Sequence, residues 1–444
     1  MSSELRTREQ LLSIADRIID RAPAGTEAEV TVTESATALT RFANSGIHQN
    51  VADRALRLRL RVVRDGRSGV AEMQVAGDQA EAALARSAEA IRVHSPQGEP
   101  VHPIPPDGGA DTEHGYSEVT EAITPEGRAD AVAGVCAAAS SLGQKAFGTY
   151  ETAVTAVAMV STTGLRRAAR HSVAELIAVC RGADGSAYGA RHSADASSID
   201  AAALTAEVTD RCARNQGAGV TEPGVYEVVL SPYAVGEMLQ YLGLVGLGGL
   251  AVLEHRSFMR FGERLMSETV TLADDVRRPE TAPLPFDGEG ATTKPVSIID
   301  RGVCTGVVHD SVTAARAGVQ TTGHSLPQPN GDGPFPRYLS LAGGDADMDS
   351  MIAACRRGLL VTRFWYVRPV HALKTIITGM TRDGTFLIEQ GHVVRPVRDL
   401  RFTQSIVDAL SDVRSIGSDQ LSTRGYFGAT LAPWLHLGRF AFSS

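Results

Sequence analysis

The hydrophobic period of the sequence changes within its first thirty residues. Residues 9–21 place apolar side chains three or four positions apart, which predicts a helix with one core-facing stripe. Between residues 27 and 74 the period becomes two, as in half-buried strands, and Asp65-Gly66 predicts the turn of an antiparallel hairpin. In the run 56–62, leucines and valine occupy one face and arginines the other. We interpret the arginine face as solvated or ion-paired, because such rows of charge are usually sheet surface.

The rest of the first half of the sequence mixes helices with further strands. Residues 94–115 are dense in Pro, Gly, Asp and His, which predicts a loop or an interdomain crossing. Thr124 and Pro125 are typical of an N-cap and of a first helical turn. The predicted elements are a helix over 78–93, a helix over 124–142, long antiparallel strands within 149–182 that turn at Thr163-Gly164, and a helix over 200–216.

A Glu222-Pro223-Gly224 step marks the predicted boundary between an N-terminal domain (1–220) and a C-terminal domain (221–444). A chain of 444 residues favours two domains, and its 44 glycines and 20 prolines favour many turns and a large antiparallel β content. Beyond the boundary the predicted elements are a strand over 226–232, a helix over 235–244, helical spacing over 258–265 followed by a strand near 270–272, a hairpin over 297–308, a surface loop over 328–336, a helix over 349–360, two strands within 375–397, a helix over 404–413 and a β tail.

The composition argues against several classes of function. The net charge of −8, without clustered Lys and Arg, argues against a general nucleic-acid binder. The longest apolar run, 241–253, is shorter than the ~20 residues that span a bilayer. The 5 cysteines are dispersed without a CxxC pair, which indicates buried thiols in a reducing compartment. The first ten residues are polar and carry no apolar signal core, so we expect a cytoplasmic protein with no membrane association.

Three motifs for common catalytic sites are weak. Residues 246–251 fit G-x-G-x-x-A, but a helical pattern precedes them where a dinucleotide site needs a strand. Ser325 lies in GHSLP, which lacks the second glycine of G-x-S-x-G. Asp287 with Glu289, or Asp274 with Asp275, could in principle do acid–base work. Turn and cap roles fit these carboxylates better, because adjacent strand residues point to opposite faces.

The histidines are not spaced for a metal site. A catalytic zinc needs three protein ligands held close together. The chain has 12 histidines, but none forms HExxH or HExxxH, and Glu254-His255 is the one Glu-His step beside the apolar run 241–253. We therefore predict no catalytic residue, no metal ligand and no cofactor in this chain, although residues distant in sequence can still converge.

Residues 257–275 (SFMRFGERLMSETVTLADD) resemble a segment of the TldD/PmbA (TldE) family of peptidases. Further family-like motifs follow in the same order: FDGEG at 286–290, GLLVT at 358–362, and TG, FLIEQG and PV between 378 and 397. Several matches in one order are far more specific than any single match.

The resemblance implies a heterodimer in which a TldD-like chain binds zinc through an HExxxH helix and a cysteine near its C-terminus. In this sequence leucines and glycines stand at the position of that helix, and the tail 418–444 contains no cysteine. The resemblance therefore implies a TldE-type subunit, with zinc expected in the TldD-like partner. It also implies an α+β fold, with an N-terminal curved antiparallel sheet with helices and a C-terminal β-rich domain.

Our hypothesis is a non-catalytic subunit that closes the peptide-binding cavity around the partner's zinc site. Such complexes are similar to those that remove leader peptides or degrade unfolded peptides, and the peptide substrate would bind in extended form along a strand edge. We expect His255, His324 and Arg337 to bind substrate. Two alternatives stay open: a structural or regulatory homodimer without a peptidase role, and a self-sufficient hydrolase with an unrecognised site.

One segment departs from the resemblance. Trp365 and Tyr366 stand where a smaller, glycine-containing stretch is expected. The two side chains could reshape the substrate cavity or a partner contact, and core packing of Trp365 is about equally consistent with the sequence.

Overall fold

The N-terminal half is built around long antiparallel strands. The computed structural model describes residues 5–74, 78–98 and 101–443, so the first four residues of the polar N-terminal segment and residues 99–100 of the Pro/Gly-rich loop lie outside the described residues. In chain order this half contains α1 (Arg8–Ile19), β1 (Glu27–Ala43), β2 (Gly46–Arg64), β3 (Arg67–Gln74), α2 (Asp78–His94), α3 (Glu118–Ala122), α4 (Pro125–Ser141), β4 (Lys145–Ser161), β5 (Arg166–Arg181), β6 (Ser186–Ser193) and α5 (Ala201–Arg214).

Among the described residues, these strands form a six-stranded antiparallel sheet in the order β3-β2-β1-β4-β5-β6. The predicted hairpin at Asp65-Gly66 is confirmed, since Arg64 pairs with Arg67 across it. Helix starts are also as predicted. The Thr124 hydroxyl accepts the amide of Gly127, which caps α4.

The helices cover one face of this sheet. Val30 and Val32 on β1 belong to a core cluster with α1 and α2, and a second cluster further along the same face packs against α4 and α5. The opposite face, which we call the open face, carries the alternate residues and faces the C-terminal half. Part of the arginine row is ion-paired, as interpreted from the sequence: Arg61 is fully buried with its Nη2 atom 2.6 Å from Glu29 Oε2.

The C-terminal half is β-rich, which makes the whole chain α+β. Its elements are β7 (Gly224–Leu230), α6 (Pro232–Gly246), α7 (Gly249–Leu253), β8 (Leu272–Asp274), β9 (Val296–Asp300), β10 (Val303–Cys304), α8 (Ser311–Ala317), β11 (Tyr338–Leu341), α9 (Met348–Ala354), β12 (Arg357–Val361), β13 (Phe364–His371), β14 (Ile376–Thr381), β15 (Thr385–Glu389), β16 (His392–Pro396), β17 (Arg401–Ser405), α10 (Ile406–Leu410), β18 (Val413–Arg424) and β19 (Ala429–Ser443).

These strands form a mixed sheet of thirteen strands within the described part of the chain. β7 lies at its centre, paired antiparallel with β19 on one side and parallel with β12 on the other. The largest core cluster lies on the face covered by α6, and a smaller cluster lies on the face covered by α9. No helix of the described residues combines the length and the apolar character needed to cross a membrane.

Helical spacing over 258–265 was a wrong prediction. This segment is irregular, and the amides of Gly262 and Leu265 donate to the carbonyls of Cys304 and Gly302 in the β9–β10 hairpin. Phe261 is 53% exposed while Phe258 is buried, so the two side chains do not share one buried helical face. The strand predicted after it is present as β8.

Three other C-terminal predictions need correction. The helix predicted over 349–360 ends at Ala354, and Arg357 onward forms β12, because the apolar run pairs between β7 and β15 instead of continuing a helix. Residues 375–397 contain three strands, not two, and the last helix covers only Ile406–Leu410. The loop over 328–336 is present, but Gln328 at its start is buried.

The division into domains at residue 220 stays a prediction.

The two halves join through polar contacts on the open face. Arg424 Nη1 at the end of β18 lies 3.0 Å from Glu151 Oε1 on β4 and 3.4 Å from Glu175 Oε2 on β5. His192 Nδ1 on β6 lies 3.0 Å from the hydroxyl of Ser422. These contacts fix the C-terminal hairpin, β18–β19, against the N-terminal sheet.

Candidate functional site

A cleft of about 590 Å³ separates the open face from loops of the C-terminal half. We call it the arginine cleft, because Arg57 and Arg59 of β2 and Arg337 line it. β3, which has one strand neighbour in the described sheet and so forms its edge, also lines the cleft. An edge strand beside a cleft offers backbone groups to an extended peptide.

The arginines of this cleft differ in how firmly they are held. Arg59 Nε donates to Glu72 Oε1 at 2.9 Å, and its Nη2 donates to the carbonyl of Gln328. Burial lowers the pKa of Arg59, opposed by the neighbouring carboxylates of Glu29 and Glu72. Arg57 is exposed. The cleft thus combines a firmly held arginine with a solvent-exposed one, and it suits a chain with carbonyl or carboxylate acceptors.

Arg337 lies at one end of the cleft, directly before β11. Its Nε donates to the carbonyl of Phe427 at 3.3 Å, and its guanidinium lies 5.5 Å from the ring centroid of Tyr338. Of the three residues predicted to bind substrate, Arg337 is the one that lines this cleft.

His324 lies beneath the cleft and is fully buried. Its Nε2 atom is 2.8 Å from Asp274 Oδ1, and its Nδ1 is 2.9 Å from the carbonyl of Thr322. Both ring nitrogens therefore face oxygen atoms of the protein. In this conformation the ring supports the cleft floor, where the next residue, Ser325, is part of the lining.

His255 lies apart from the cleft. It follows α7 with a left-handed backbone (φ 55°) and is exposed, next to an ion pair between Glu254 and Arg256 at 2.5 Å. The structure thus places Arg337 and His324 beside the same cleft and His255 elsewhere. Substrate contact stays a prediction for all three residues.

The carboxylates of the FDGEG turn are structural, as interpreted from the sequence. Asp287 accepts the backbone N–H groups of Glu289, Ala291 and Ser325 at 2.7–2.9 Å. Glu289 is fully buried and accepts the Ser311 amide at 3.0 Å. Burial raises the pKa of both carboxyl groups, and the negative charge of Asp287 raises the pKa of Glu289 further. The two groups therefore hold the turn and share a buried, proton-sensitive environment.

The other catalytic motifs weighed from the sequence have structural roles. Ser325 is buried and donates to the carbonyl of Leu326 at 2.7 Å, so its hydroxyl is not presented as a nucleophile. The glycine-rich run 246–251 follows helix α6, and a dinucleotide fingerprint requires a strand there.

A smaller pocket lies between α6 and the β18–β19 hairpin, and we call it the hairpin pocket. It lies where the two segments that carry zinc ligands in the resemblance come together, since Gln240 Nε2 donates to the carbonyl of Arg424 at 3.4 Å. The described residues that line it are Gln240, Tyr241, Gly243, Leu244, Phe335, Pro336, Arg337, Leu339, Gly425, Tyr426, Phe427, Gly428, Ala429 and Thr430. None of these residues is His, Cys, Asp or Glu, so this pocket does not fit a zinc ion.

A third cavity, the aromatic cleft, continues on the far side of the hairpin pocket. Its volume is about 490 Å³, and it shares Gln240, Tyr241, Gly425 and Tyr426 with the hairpin pocket. Trp365 is 42% exposed and lies between Arg363 and Arg382, at 4.7 and 4.8 Å from the guanidinium carbons. The interpretation that Trp365 packs in the core is therefore wrong, and the side chain lies at the surface of the cleft.

The three cavities are adjacent to one another, and we refer to them together as the groove. Arg337 and Phe427 line both the arginine cleft and the hairpin pocket, while Tyr426 lines both the hairpin pocket and the aromatic cleft. The groove follows the open face of the N-terminal sheet and passes the tip of the β18–β19 hairpin.

Sequence reasoning missed one cluster of ligand-type side chains. Glu227, Cys355 and His436 place their donor atoms within 4.8 Å of one another. They are separated by more than eighty residues in sequence, so no spacing pattern could have indicated them.

The second half of the chain matches a known family. The family model described as the PmbA/TldA metallopeptidase C-terminal domain matches residues 223–444, which is half of the 444 residues. A protein named metalloprotease from Methanothermobacter thermautotrophicus is 26% identical over 215 residues, covering 46% of this chain and 45% of that protein. Metalloprotease PmbA from Escherichia coli is 25% identical over 198 residues, covering 43% and 41%. The match thus spans less than half the length of these two curated relatives.

The fold is similar over nearly the whole chain to a solved structure. The crystal structure of TldE from Thermococcus kodakarensis superposes with a TM-score of 0.85 at 16% sequence identity, covering 98% of this chain and 99% of that chain. At this identity the match establishes the fold alone.

Proposed function

The chain belongs to the PmbA/TldD metallopeptidase family, and from that premise we propose that it is the non-catalytic, TldE-like subunit of a heterodimeric zinc metalloprotease. In this proposal a TldD-like partner binds the zinc ion. The present chain closes the peptide-binding cavity around it. Substrates are peptides in extended form, such as leader peptides or unfolded segments.

The observation that carries this proposal is the lining of the hairpin pocket. Catalytic members are expected to place their HExxxH helix and their C-terminal cysteine where α6–α7 and the β18–β19 hairpin meet. Here the lining residues at that place offer apolar, aromatic, amide and arginine side chains. A zinc ion requires three or four N, S or carboxylate ligands, so catalysis at this place needs ligands from another chain.

The groove supports a role in peptide binding. Its ends lie in the arginine cleft, beside edge strand β3, and in the aromatic cleft. A strand edge binds an extended backbone through main-chain hydrogen bonds, while the flanking clefts accommodate side chains. Arg337, which lines both the arginine cleft and the hairpin pocket, is the charged residue best placed to orient a peptide toward the partner's active site.

Exposed apolar side chains around the groove support a protein partner. Leu244, Trp365, Tyr366 and Tyr426 are 44%, 42%, 68% and 79% exposed, and each lines the hairpin pocket or the aromatic cleft. Large apolar side chains grouped at one surface commonly mark an interaction site. We assign this surface to the TldD-like subunit, so that the groove becomes an enclosed cavity in the heterodimer.

The test is peptide cleavage by separately purified chains. This chain alone should not cleave an unstructured peptide, and addition of a TldD-like partner should produce cleavage and a heterodimer by sedimentation. A partner variant in which the glutamate of HExxxH is replaced by glutamine is the matched control, and it should assemble without cleaving. Cleavage by the present chain alone would overturn the proposal in favour of a self-sufficient hydrolase. A stable self-dimer that ignores the partner would favour the structural or regulatory alternative.

A further inference from the structure

Three potential metal ligands converge on the face of the thirteen-stranded sheet that α9 covers. Glu227 lies on β7, Cys355 directly follows α9, and His436 lies on β19. Their donor atoms all lie within 4.8 Å of one another, and His436 Nε2 is 3.2 Å from Glu227 Oε2. This cluster is separate from the groove, since none of its members lines the three cavities.

Strand alternation explains how the ligands meet. On β7, Val228 points into the large core cluster, so that Glu227 and Val229 point to the opposite face, where Val229 packs against α9. His436 pairs with Val229 across the β7–β19 ladder and thus shares that face. On the other side of β7, Glu227 is opposite Gly358 of β12.

Gly358 leaves the space that the thiol occupies. A Cβ atom at this position would lie 2.5 Å from Cys355 Sγ and 2.5 Å from the carbonyl oxygen of Glu227. Any larger residue would therefore displace the thiol from the carboxylate. The close approach of β12, the thiol and β7 depends on glycine.

The surroundings are apolar and largely closed. Cys355 is fully buried, and the His436 side chain is 4% exposed, whereas the Glu227 side chain is 34% exposed and gives the cluster a side open to solvent. Met351, Phe386 and other apolar residues pack around the thiol. Burial raises the pKa of Cys355 to about 12, and the negative charge of Glu227 adds to this effect. A bound cation would reverse that balance, because it stabilises the thiolate.

We propose that Glu227, Cys355 and His436 bind one zinc ion, with a water molecule at the fourth position on the solvent side. Thiolate sulfur, imidazole nitrogen and carboxylate oxygen are the ligand types that zinc accepts. With Zn–S near 2.3 Å and Zn–N and Zn–O near 2.0–2.2 Å, the donors of a tetrahedral ion lie roughly 3.3–3.7 Å apart, which is compatible with the cluster after small side-chain rotations.

Charge and protons balance at this site. The thiol of Cys355 loses one proton to solvent when its sulfur binds the ion, while the neutral imidazole binds through Nε2. One carboxylate and one thiolate then neutralise the two positive charges of zinc. Binding therefore releases about one proton per ion at neutral pH.

The site joins three segments that are distant in sequence. A metal ion would connect β7, the end of α9 and β19, so that metal binding should raise the midpoint of thermal unfolding. This role does not depend on the proposed function, because the ion lies outside the groove and outside the partner's zinc site. Cleavage assays and metal-binding assays can therefore fail separately.

The experiment uses the full chain, freed of metal with a chelator and then titrated with Co²⁺, which reports its ligands by absorption. We expect a thiolate-to-cobalt charge-transfer band and the visible bands of tetrahedral coordination, saturating at about one equivalent. Zn²⁺ should displace Co²⁺ and abolish both bands. Cys355→Ser should lose the charge-transfer band. Cys304→Ser, which changes a buried cysteine outside the cluster, should retain it.

Two further variants guard against misfolding. Glu227→Gln and His436→Gln are made as single variants, and Glu227 is partly exposed. Each substitution should weaken Co²⁺ binding by more than about tenfold while the circular dichroism spectrum is unchanged. Zn²⁺ should raise the unfolding midpoint of wild type and of Cys304→Ser, and not that of the three cluster variants. No charge-transfer band in wild type, or a band that survives Cys355→Ser, would overturn the proposal.

Discussion

The Nε2 atom of His324 lies 2.8 Å from Oδ1 of Asp274, and both side chains are fully buried. The other oxygen of Asp274 accepts the amide of Tyr338 at 2.7 Å, which ties β8 to β11. The pair therefore stabilises the floor of the arginine cleft from within the protein. It also links a residue that we predicted from sequence as a substrate ligand to the packing of the C-terminal sheet.

Loss of the His324 imidazole should destabilise the folded protein. His324→Ala removes the partner of a buried carboxylate, so we expect the free energy of unfolding to fall by roughly 3–5 kcal/mol. His324→Gln retains an N–H donor and should lose clearly less. Urea unfolding of the isolated chain measures both values. A loss below about 1 kcal/mol for the alanine variant would show that the pair contributes little.

The buried carboxyl groups of Asp287 and Glu289 should make stability depend on pH. Their pKa values are raised in the folded protein, mainly by burial, so the folded state favours the protonated forms. This contribution is fully present below the ordinary carboxyl pKa near 4 and is lost as pH rises through the folded value of about 7 for Glu289. Between those limits we expect the free energy of unfolding to lose on the order of 1–3 kcal/mol.

Glu289→Gln isolates this effect. The amide stays neutral, so the variant should lose less stability than wild type between pH 5 and pH 8 (roughly the interval in which the pair titrates). Asp130→Asn, at an exposed position on α4, is the matched control and should follow the wild-type profile. Identical profiles for wild type and Glu289→Gln would contradict the buried titration.

Local signals predicted most of the N-terminal half. The hairpin at Asp65-Gly66 and the cap at Thr124 depend on residues close in sequence, and the structure contains both of them. The wrong predictions fell where distant strands compete with local periodicity. Residues 358–360 have a helix-like apolar pattern, but β7 and β15 supply hydrogen bonds on both sides, and the segment becomes a strand.

The site was less predictable for the same reason. Arg337 was identified from the sequence and lies in the cleft, whereas the burial of His324 depends on Asp274, fifty residues earlier. The Glu227, Cys355 and His436 cluster arises only from the pairing of β7 with β12 and β19. Sequence spacing carries no information about such convergence, because it is created by the sheet order.

Truncation of two neighbouring aromatic residues on β13 should lower stability by very different amounts. Phe364 is 2% exposed and packs against Phe402 and Phe440 with ring centroids 4.5 and 5.5 Å away, so Phe364→Ala should cost roughly 3–5 kcal/mol. Trp365 points to the aromatic cleft, and Trp365→Ala should cost about 1 kcal/mol through lost contacts with Arg363 and Arg382. Urea unfolding of the two variants tests this contrast.

Association with the TldD-like partner gives a second test of the role of Trp365. Trp365→Ala should leave the fold intact and weaken association with the TldD-like partner, measured by sedimentation or calorimetry. A large stability loss for Trp365→Ala, or unchanged association with the partner, would remove the aromatic cleft from the proposed interface.

Arg337 should affect cleavage more than folding. Its guanidinium is half-buried at the junction of the arginine cleft and the hairpin pocket, where a peptide would pass toward the partner's zinc site. In the assembled complex, Arg337→Ala should lower kcat/KM for peptide cleavage by about tenfold, equivalent to about 1.4 kcal/mol of lost transition-state binding. Arg337→Lys retains the charge and should lose less.

The matched control is Arg260→Ala, which removes an exposed arginine paired with Glu263 and outside the groove. It should cleave like wild type, and both variants should unfold at similar urea concentrations. The alanine variants of His255 and His324 belong in the same assay, because both residues were also predicted from the sequence to bind substrate. Wild-type cleavage rates for the alanine variants of His255, His324 and Arg337 together would show that none of them contacts the peptide, and that this chain guides substrate through backbone or aromatic contacts alone.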